Sequence, residues 1–231
     1  CRSRRTGRAD GDGSTRSCRM SLFPIFLKLQ ERPCLVVGAG EIAESKIHSL
    51  LAAGARVTVI APEAKLDLIS LADAGLFTWH QREYVADDLE GLFLVVAATD
   101  SLAVNAAVYR DAVDRNILCN AVDDPPNCDF YFPSVVRRGN LQIAISTAGE
   151  SPALAQRLRK EIDEQLPDDL GPWLDDLGEL RREVLAVLPP GESRKLLLHE
   201  LAQRPVCGSD HCPSRKLVVL QAEEALAHQW S

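Results

Sequence analysis

The sequence lacks three features that would assign it to common protein classes: a long apolar run, an excess of positive charge and a regular pattern of cysteines. No apolar run reaches the ~20 residues that a helix needs to span a bilayer, so we expect no membrane association. The net charge of −7 over 231 residues argues against general nucleic-acid binding, which requires a basic face. An acidic substrate stays compatible, because local arginines can outweigh the global sign.

The cysteines and histidines form no recognisable disulfide or metal pattern. Seven cysteines are an odd number without a C-x-x-C pair, and Cys34 and Cys119 fall in predicted strands, where cysteine is a small buried apolar residue. We therefore expect a reducing, cytoplasmic location and no disulfide framework. Cys207, His211 and Cys212 offer three ligands where a structural zinc site needs four. We assign no metal to them, and no H-E-x-x-H or serine-triad pattern occurs.

Residues 1–19 do not resemble part of a fold, because they are rich in Arg, Gly and Ser and carry no apolar period. Two interpretations stay open: a disordered upstream extension, with the natural start at Met20, or an Arg-rich targeting segment. We favour the first, since the segment contains no apolar stretch or amphipathic helix that a receptor could recognise.

The most informative segment is residues 34–43, which reads CLVVGAGEIA. An apolar strand is followed by a turn on Gly38 and Gly40, a helix, and a second strand at 56–60, which is the G-x-G-x-x-A form of a dinucleotide-binding βαβ unit. The first glycine permits the tight turn, the second lets the backbone approach a pyrophosphate, and Ala43 keeps the helix close to the sheet. The helix N-terminus then faces the phosphates. This pattern predicts a nicotinamide cofactor.

The end of the second predicted strand bears on the type of cofactor. Dinucleotide-binding folds usually place an Asp or Glu there to bind the ribose hydroxyls. The sequence at this point is Ile60-Ala61-Pro62-Glu63, so the acid comes slightly late and no arginine is present for a 2′-phosphate. We predict NAD rather than NADP, with the ribose held by the backbone near Pro62 or by Glu63.

Helix and strand patterns alternate through the first half of the chain. Helical patterns at 64–74 and 102–113 alternate with strand patterns at 76–80, 91–98 and 117–122. This alternation predicts an α/β fold, a Rossmann-like doubly wound parallel sheet with right-handed crossovers. We assign it to residues 20–132.

The pattern changes after residue 132. Residues 133–138 and 141–146 predict the two arms of an antiparallel hairpin around Gly139-Asn140, because apolar and polar residues alternate along the second arm. Ser151 and Pro152 are typical of the N-cap and first position of a helix, which we predict to end near residue 165. We therefore expect a hairpin-plus-helix module at 133–165 and a helical C-terminal region at 166–231, interrupted at Pro189-Pro190-Gly191.

Polar residues follow the fourth and fifth predicted strands, whose carboxyl ends line the ligand crevice of this topology. Thr99 and Asp100 are either contacts near the nicotinamide or caps of the next helix. The adjacent carboxylates of Asp123 and Asp124 can produce a general base if one pKa rises. Asp before Pro is also a common turn starter, and spacing alone favours that second interpretation.

A loop of small residues precedes the helix at Pro152. Ser146, Thr147 and Ser151 lie in it, and such a loop either binds an anion or simply caps the helix. Basic residues flank it in sequence and either attract a polycarboxylate or form a solvated face: Arg137, Arg138, Arg157, Arg159 and Lys160.

Six segments in consistent order carry a family resemblance: PIFLKL, CLVVGAGEIAESK, VVAATD, LCNAVDDP, FYFPSVV and ISTAGESPALAQRLRKEI. From about residue 20 to 165 the chain resembles the precorrin-2 dehydrogenase/sirohydrochlorin ferrochelatase family, the N-terminal module of sirohaem synthase. The resemblance implies NAD-dependent oxidation of precorrin-2 to sirohydrochlorin and, in many members, insertion of ferrous iron to make sirohaem. Because the sequence stops after the helical region, it looks like the stand-alone type without a methyltransferase domain.

The resemblance also implies roles for individual residues. The essential aspartate of the family falls on Asp123, which overturns the turn-only preference and makes Asp123 the expected catalytic residue and a transient metal ligand. The module at 133–165 looks like the dimerisation region, so a homodimer is expected. The expected cofactor contacts are Gly38, Ala39, Gly40, Glu41, Ile42, Pro62, Glu63, Thr99 and Asp100. The expected substrate contacts are Asn120, Ser146, Thr147 and Ser151.

Three rival functions stay open. The first is a dehydrogenase without chelatase activity. The second is a regulatory Rossmann protein that senses NAD without chemistry and has no need of Asp123. The third is an unrelated small-acid dehydrogenase, which would use a catalytic His or Lys in the second module, where none is well placed.

Overall fold

The computed structural model describes residues 22–203, 212–214 and 216–221. The predicted extension at 1–19 lies outside these residues, and so do Cys207 and His211, while Cys212 is buried. Within the described residues, no helix combines the length and the apolar character that a membrane crossing requires.

A five-stranded parallel sheet forms the centre of the first half of the chain, in the order β3-β2-β1-β4-β5. The crossover helices confirm the predicted doubly wound Rossmann-like fold. The strands are β1 (Pro33–Val37), β2 (Arg56–Ile60), β3 (Thr78–His80), β4 (Leu94–Ala97) and β5 (Leu118–Ala121), and the helices between them are α1 (Glu41–Ala52), α2 (Leu66–Asp73) and α3 (Leu102–Asp114).

Two of the strands begin two or three residues later than the sequence pattern predicts. The strand expected at 91–98 begins only at Leu94, because Gly91 takes a positive φ of 71° and residues 91–93 still belong to the turn. The strand expected at 76–80 begins at Thr78, since Gly75 (φ 77°) and Leu76 complete the turn that leaves α2.

The central strand β1 is buried on both faces, as a parallel strand between two helical layers must be. Val36 packs in the same cluster as Ile47 of α1. Its neighbour Leu35 points the other way and packs in the cluster that contains Val108 of α3. All four side chains are at most 1% exposed, and each such burial contributes roughly 1.5–3 kcal/mol.

The strand register brings four strand ends to one edge of the sheet. Val37 of β1 pairs with Ile60 of β2 and with Ala97 of β4, and Ala97 pairs with Ala121 of β5. The loops that follow these strands therefore meet at a single edge, which is where α/β sheets bind ligands.

The second half of the chain contains the predicted hairpin, β6 (Ser134–Arg138) and β7 (Leu141–Ile145), paired antiparallel around Gly139. The helices α4 (Pro152–Gln165), α5 (Leu170–Val187) and α6 (Glu192–Leu201) follow, and the described residues at 213–214 and 216–221 are also helical. Arg138 at the end of β6 donates to the Asp163 carboxylate of α4 at 2.6 Å, which ties the hairpin to that helix. A separate apolar cluster joins α5 and α6 through Leu180, Val184, Leu197 and Leu201.

Candidate cofactor cleft and catalytic loop

The glycine turn after β1 has the geometry that close backbone approach requires. Gly38 adopts a φ of 106°, and a Cβ there would lie 2.3 Å from the carbonyl oxygen of Ala98. Gly40 is the N-cap of α1, has an ordinary φ of −84° and no side-chain cap, and a Cβ there would meet nothing within 4 Å. Gly38 therefore permits strand-to-strand contact, while Gly40 leaves the helix N-terminus open to a ligand.

A cleft of about 900 Å³ lies at this edge of the sheet. The structure brings most of the predicted cofactor residues into its wall, while Glu41 and Ile42 lie next to it in the first turn of α1. The predicted residues in the wall are Gly38, Ala39, Gly40, Pro62, Glu63, Thr99 and Asp100.

Two basic residues also line the cleft, Lys65 and Arg82, although no arginine directly follows β2 in the sequence. Lys65 pairs with Glu44 of α1 at 2.5 Å, and this hydrogen bond raises the pKa of the lysine. Arg82, after β3, pairs with Asp88 at 2.5 Å. Both cations are thus neutralised within the chain, while Glu63 has no ion pair among the described residues. The sequence alone does not reveal either ion pair. Lys65 and Glu44 are far apart along the chain, and Arg82 and Asp88 lie in a segment without apolar periodicity.

The loop after β4 is locked by a buried amide that the sequence analysis did not single out. Asn105 of α3 is 1% exposed, and its Oδ1 accepts from the Thr99 backbone N–H at 3.1 Å and from the Thr99 hydroxyl at 2.7 Å. Its Nδ2 donates to the Thr99 carbonyl at 3.0 Å. Ser101 caps the helix by accepting from Val104 N–H. The cap of the helix is therefore Ser101 and not Thr99 or Asp100, and Thr99 is fixed at the cleft wall.

Tyr84 joins the far wall of the cleft to α3. Its hydroxyl donates to the Asp111 carboxylate at 2.9 Å, and its pKa is raised first by burial and then by that carboxylate. The phenol is therefore neutral and held in one orientation beside the cleft.

The loop after β5 is folded back on its own strand. Asn120 is buried and donates its amide to the Phe130 carbonyl at 2.7 Å, and Asp129 accepts from the backbone N–H of Cys119 at 2.9 Å. Val122 N–H donates to the carbonyl of Ala97, the last residue of β4, at 2.9 Å. Asp123 is the next residue and therefore lies beside the end of β4. The residues that follow β4 line the cleft.

The structure separates the two adjacent carboxylates of this loop. Asp124 accepts from the Asn127 amide at 2.6 Å and so serves the turn. Asp123 is exposed, has a positive φ of 59°, and accepts no hydrogen bond from the described residues. The turn chemistry expected from the sequence therefore belongs to Asp124, and Asp123 presents an unshared carboxylate.

Lys46 of α1 lies near Asp123. Its Nζ sits 4.2 Å from the centre of the Phe132 ring, and the side chain is half-buried. Partial burial lowers the pKa of Lys46, and the negative charge of Asp123 acts in the opposite direction. Sequence reasoning missed this residue, because it lies 77 positions before Asp123 and belongs to no motif there.

The small-residue loop before α4 is internally satisfied. The Ser146 hydroxyl accepts from Ala148 N–H at 3.1 Å, and the Thr147 hydroxyl accepts from Ser151 N–H at 3.2 Å. Ser151 caps α4 by accepting from Leu154 N–H at 3.2 Å, which confirms the predicted cap. None of the three hydroxyl residues is in the cleft wall, and their role toward a substrate stays a prediction.

No group of three or more metal-ligating side chains occurs in the described part of the chain. Cys34 and Cys119 are fully buried, as predicted, and burial raises the pKa of their thiols to about 11 and about 12. Both are therefore neutral core residues and not ligands or nucleophiles.

Two family models match the chain in sequence. A model of NAD(P)-binding domains covers residues 25–134, and the model "Sirohaem biosynthesis protein central" covers residues 138–165. The chain carries an NAD(P)-binding domain, in agreement with the glycine turn and the cleft.

Curated relatives and one solved structure extend this result. The chain is 39% identical over 213 residues to a siroheme synthase of Methylococcus capsulatus, covering 91% of this chain and 45% of that protein. It is 41% identical over 197 residues to siroheme synthase 2 of Yersinia pseudotuberculosis, covering 83% and 42%. The chain thus spans less than half the length of these relatives.

The structure titled "SirC, precorrin-2 dehydrogenase" superposes with a TM-score of 0.69 at 26% identity, covering 88% of this chain and all of that one. The superposition extends beyond the Rossmann sheet into the hairpin and helices, since it includes most of the chain. The chain therefore carries an NAD(P)-binding domain followed by the central domain of sirohaem biosynthesis proteins, and it is similar to siroheme synthases over less than half of their length.

Proposed function

We propose that this protein oxidises precorrin-2 to sirohydrochlorin with NAD⁺. The observation that carries the proposal is the unshared carboxylate of Asp123, which follows β5 beside the end of β4, whose next residues Ala98 and Thr99 line the cleft. The names of the relatives and of the superposed dehydrogenase support the choice of substrate.

The cleft suits a dinucleotide. The open N-terminus of α1 at Gly40 would receive the pyrophosphate, since its first backbone N–H groups carry no side-chain cap. Glu63 would accept from the ribose hydroxyls, and its carboxylate would repel a 2′-phosphate, which favours NAD over NADP. When bound, the nicotinamide ring supplies the hydride acceptor.

A residue of the chain would accept the proton that the oxidation releases. Oxidation removes a hydride and a proton from precorrin-2. Asp123 would take the proton, and the role is supported by the fact that no residue of the described chain donates a hydrogen bond to its oxygens. Ferrous iron is proposed as a second substrate. Its insertion into sirohydrochlorin releases two pyrrole N–H protons, which the same carboxylate would accept one at a time and pass to solvent. A carboxylate is also a suitable transient ligand for the entering ion.

The test replaces each carboxylate of the loop by its amide. Asp123→Asn should lower kcat for anaerobic NAD⁺ reduction with precorrin-2 by about 10²- to 10⁴-fold, with the Kd of NAD⁺ by calorimetry unchanged. Asp124→Asn is the matched control, since its amide oxygen still accepts from Asn127, and it should keep wild-type turnover. Wild-type rates in Asp123→Asn would refute the assigned role.

The same assay separates the rival functions. A protein that only senses NAD would bind the cofactor and give no NADH with precorrin-2. A dehydrogenase without chelatase activity would form NADH and sirohydrochlorin, but adding ferrous iron or cobalt under anaerobic conditions would leave the sirohydrochlorin spectrum unchanged.

We also infer a homodimer. The hairpin of β6 and β7 is a sheet of two strands whose apolar side chains Ile143 and Ile145 are only half-buried. Before β1, Phe23 and Phe26 are 85% and 68% exposed. Exposed apolar surface of this kind is typical of an interface. Light scattering after gel filtration should give twice the chain mass of 25.3 kDa, and a monomer across the concentration range would contradict the inference.

A further inference from the structure

Lys46 is a half-buried cation without an ion-pair partner in the described chain. Two other lysines of the described chain are paired: Lys65 with Glu44 at 2.5 Å and Lys195 with Glu192 at 2.7 Å. Lys46 forms no such pair within 4.0 Å among the described residues, although Asp123 is close enough to act on it electrostatically.

The position of this ammonium is nevertheless held. Nζ lies 4.2 Å from the centre of the Phe132 ring, an attraction known to fix cations over aromatic faces. Phe132 in turn packs against Phe130, with ring centroids 5.5 Å apart. Phe130 is anchored through its carbonyl by Asn120. The aromatic pair therefore forms a fixed platform under the cation.

The surroundings of Lys46 indicate what it binds. Helix α1, which carries it, starts at the cofactor cleft, and Phe132 immediately precedes the hairpin module. The ammonium is therefore carried by the helix that starts at the cleft, over the ring that precedes the hairpin module and close to Asp123. The negative charge of Asp123 would repel a substrate rich in carboxylates. The partly desolvated ammonium of Lys46 beside Asp123 offsets that repulsion and offers N–H donors to the substrate.

We propose that Lys46 binds a peripheral carboxylate of the tetrapyrrole and so positions the macrocycle against Asp123. This assignment rests on the proposed oxidation of precorrin-2. It makes Lys46 a substrate-binding residue and gives helix α1 two uses, with its N-terminus facing the cofactor and its second turn facing the substrate.

The test uses Lys46→Met, which keeps an unbranched apolar side chain over Phe132 and removes the charge, and Lys46→Arg, which keeps the charge. Loss of a charge-assisted hydrogen bond should raise the KM for precorrin-2 about 10- to 100-fold, with kcat within a few fold of wild type and the Kd of NAD⁺ unchanged. Lys46→Arg should recover most of the loss. Lys195→Met, which removes a surface lysine from α6, is the control and should have no effect.

A binding measurement without turnover complements the kinetics. Sirohydrochlorin titrated against tryptophan fluorescence, in the absence of NAD⁺, should show a similar rise in Kd for Lys46→Met. If methionine destabilises the chain, Lys46→Gln provides a second neutral variant.

The outcomes distinguish this proposal from the function on which it rests. An active wild type together with Lys46→Met at wild-type KM and wild-type sirohydrochlorin Kd would overturn the role of Lys46 alone. A rise in the Kd of NAD⁺ instead would also overturn it, since Lys46 would then serve the cofactor. A wild type that binds NAD⁺ but does not oxidise precorrin-2 would remove the proposed function and this role with it.

Discussion

At the scale of single residues, the two glycines of one turn serve different purposes. At Gly38 the constraint is internal, because its φ of 106° and the Ala98 carbonyl oxygen at 2.3 Å leave no room for a Cβ. At Gly40 the chain itself imposes no constraint, because a Cβ there would meet nothing within 4 Å, and only the proposed cofactor would contact it.

This contrast predicts opposite behaviour for two alanine variants. Gly38→Ala should lose about 2–4 kcal/mol of unfolding free energy, from the disfavoured backbone and the overpacked contact. Gly40→Ala should stay within about 0.5 kcal/mol of wild type but raise the Kd of NAD⁺ about tenfold or more, because the methyl group blocks the approach of the pyrophosphate. Urea denaturation and calorimetry measure the two quantities. Equal destabilisation of both variants would contradict the distinction.

Local sequence patterns predict some residues of the candidate site and cannot distinguish others. Sequence patterns predicted several residues that line the cleft, because each of them follows a strand with a clear apolar pattern: the glycine turn, Glu63, Thr99 and Asp100. Adjacent carboxylates cannot be told apart by pattern, and only the Asn127 hydrogen bond to Asp124 leaves Asp123 as the unshared group.

At the scale of elements, the hairpin turn and helix α5 approach each other through glycine. A Cβ on Gly171, in the first turn of α5, would lie 3.1 Å from the Arg138 carbonyl carbon and 3.1 Å from the Gly139 nitrogen. A Cβ on Gly178 of the same helix would meet only the flexible Arg182 side chain at 3.6 Å. Gly171 is therefore packed closely against the backbone of the hairpin turn, while Gly178 of the same helix has room for a methyl group.

A matched pair of substitutions tests this contact. Alanine gains about 1 kcal/mol over glycine in a helix, and Gly178→Ala should be more stable by up to that amount. In Gly171→Ala the same gain is outweighed by backbone overpacking of about 1–3 kcal/mol, so the variant should be less stable than wild type. Chemical denaturation compares both, and a stabilised Gly171→Ala would show that the hairpin can move away at little cost.

At the scale of the whole molecule, two thiols in the central sheet make stability depend on alkaline pH. Burial raises the pKa of Cys34 from 9.0 to about 11. Above pH 9 the unfolded chain therefore releases this proton while the folded chain keeps it, so the unfolded state binds fewer protons and stability falls as pH rises. The contribution is complete below pH 9 and is lost up to about pH 11, at most about 3 kcal/mol for Cys34.

The measurement is the unfolding free energy as a function of pH for wild type and Cys34→Val. Tyr84 also has a raised pKa, so the wild type loses stability from more than one group. The difference between the two curves isolates the thiol, and the variant should show a shallower decline above pH 9 with little difference at neutral pH. Parallel curves would exclude Cys34 as a source of the dependence.

The sequence by itself determined the order of strands and helices, the glycine turn and the helix caps, because apolar periodicity, glycine and N-cap chemistry act over a few neighbouring residues. Tertiary structure alone decided which distant groups meet at the edge of the sheet. The pairing of Lys65 with Glu44, the lock of Thr99 by Asn105 and the placement of Lys46 beside Asp123 follow from crossovers that align strand ends from different parts of the chain. Such contacts leave no local periodicity, so no pattern within one segment could reveal them.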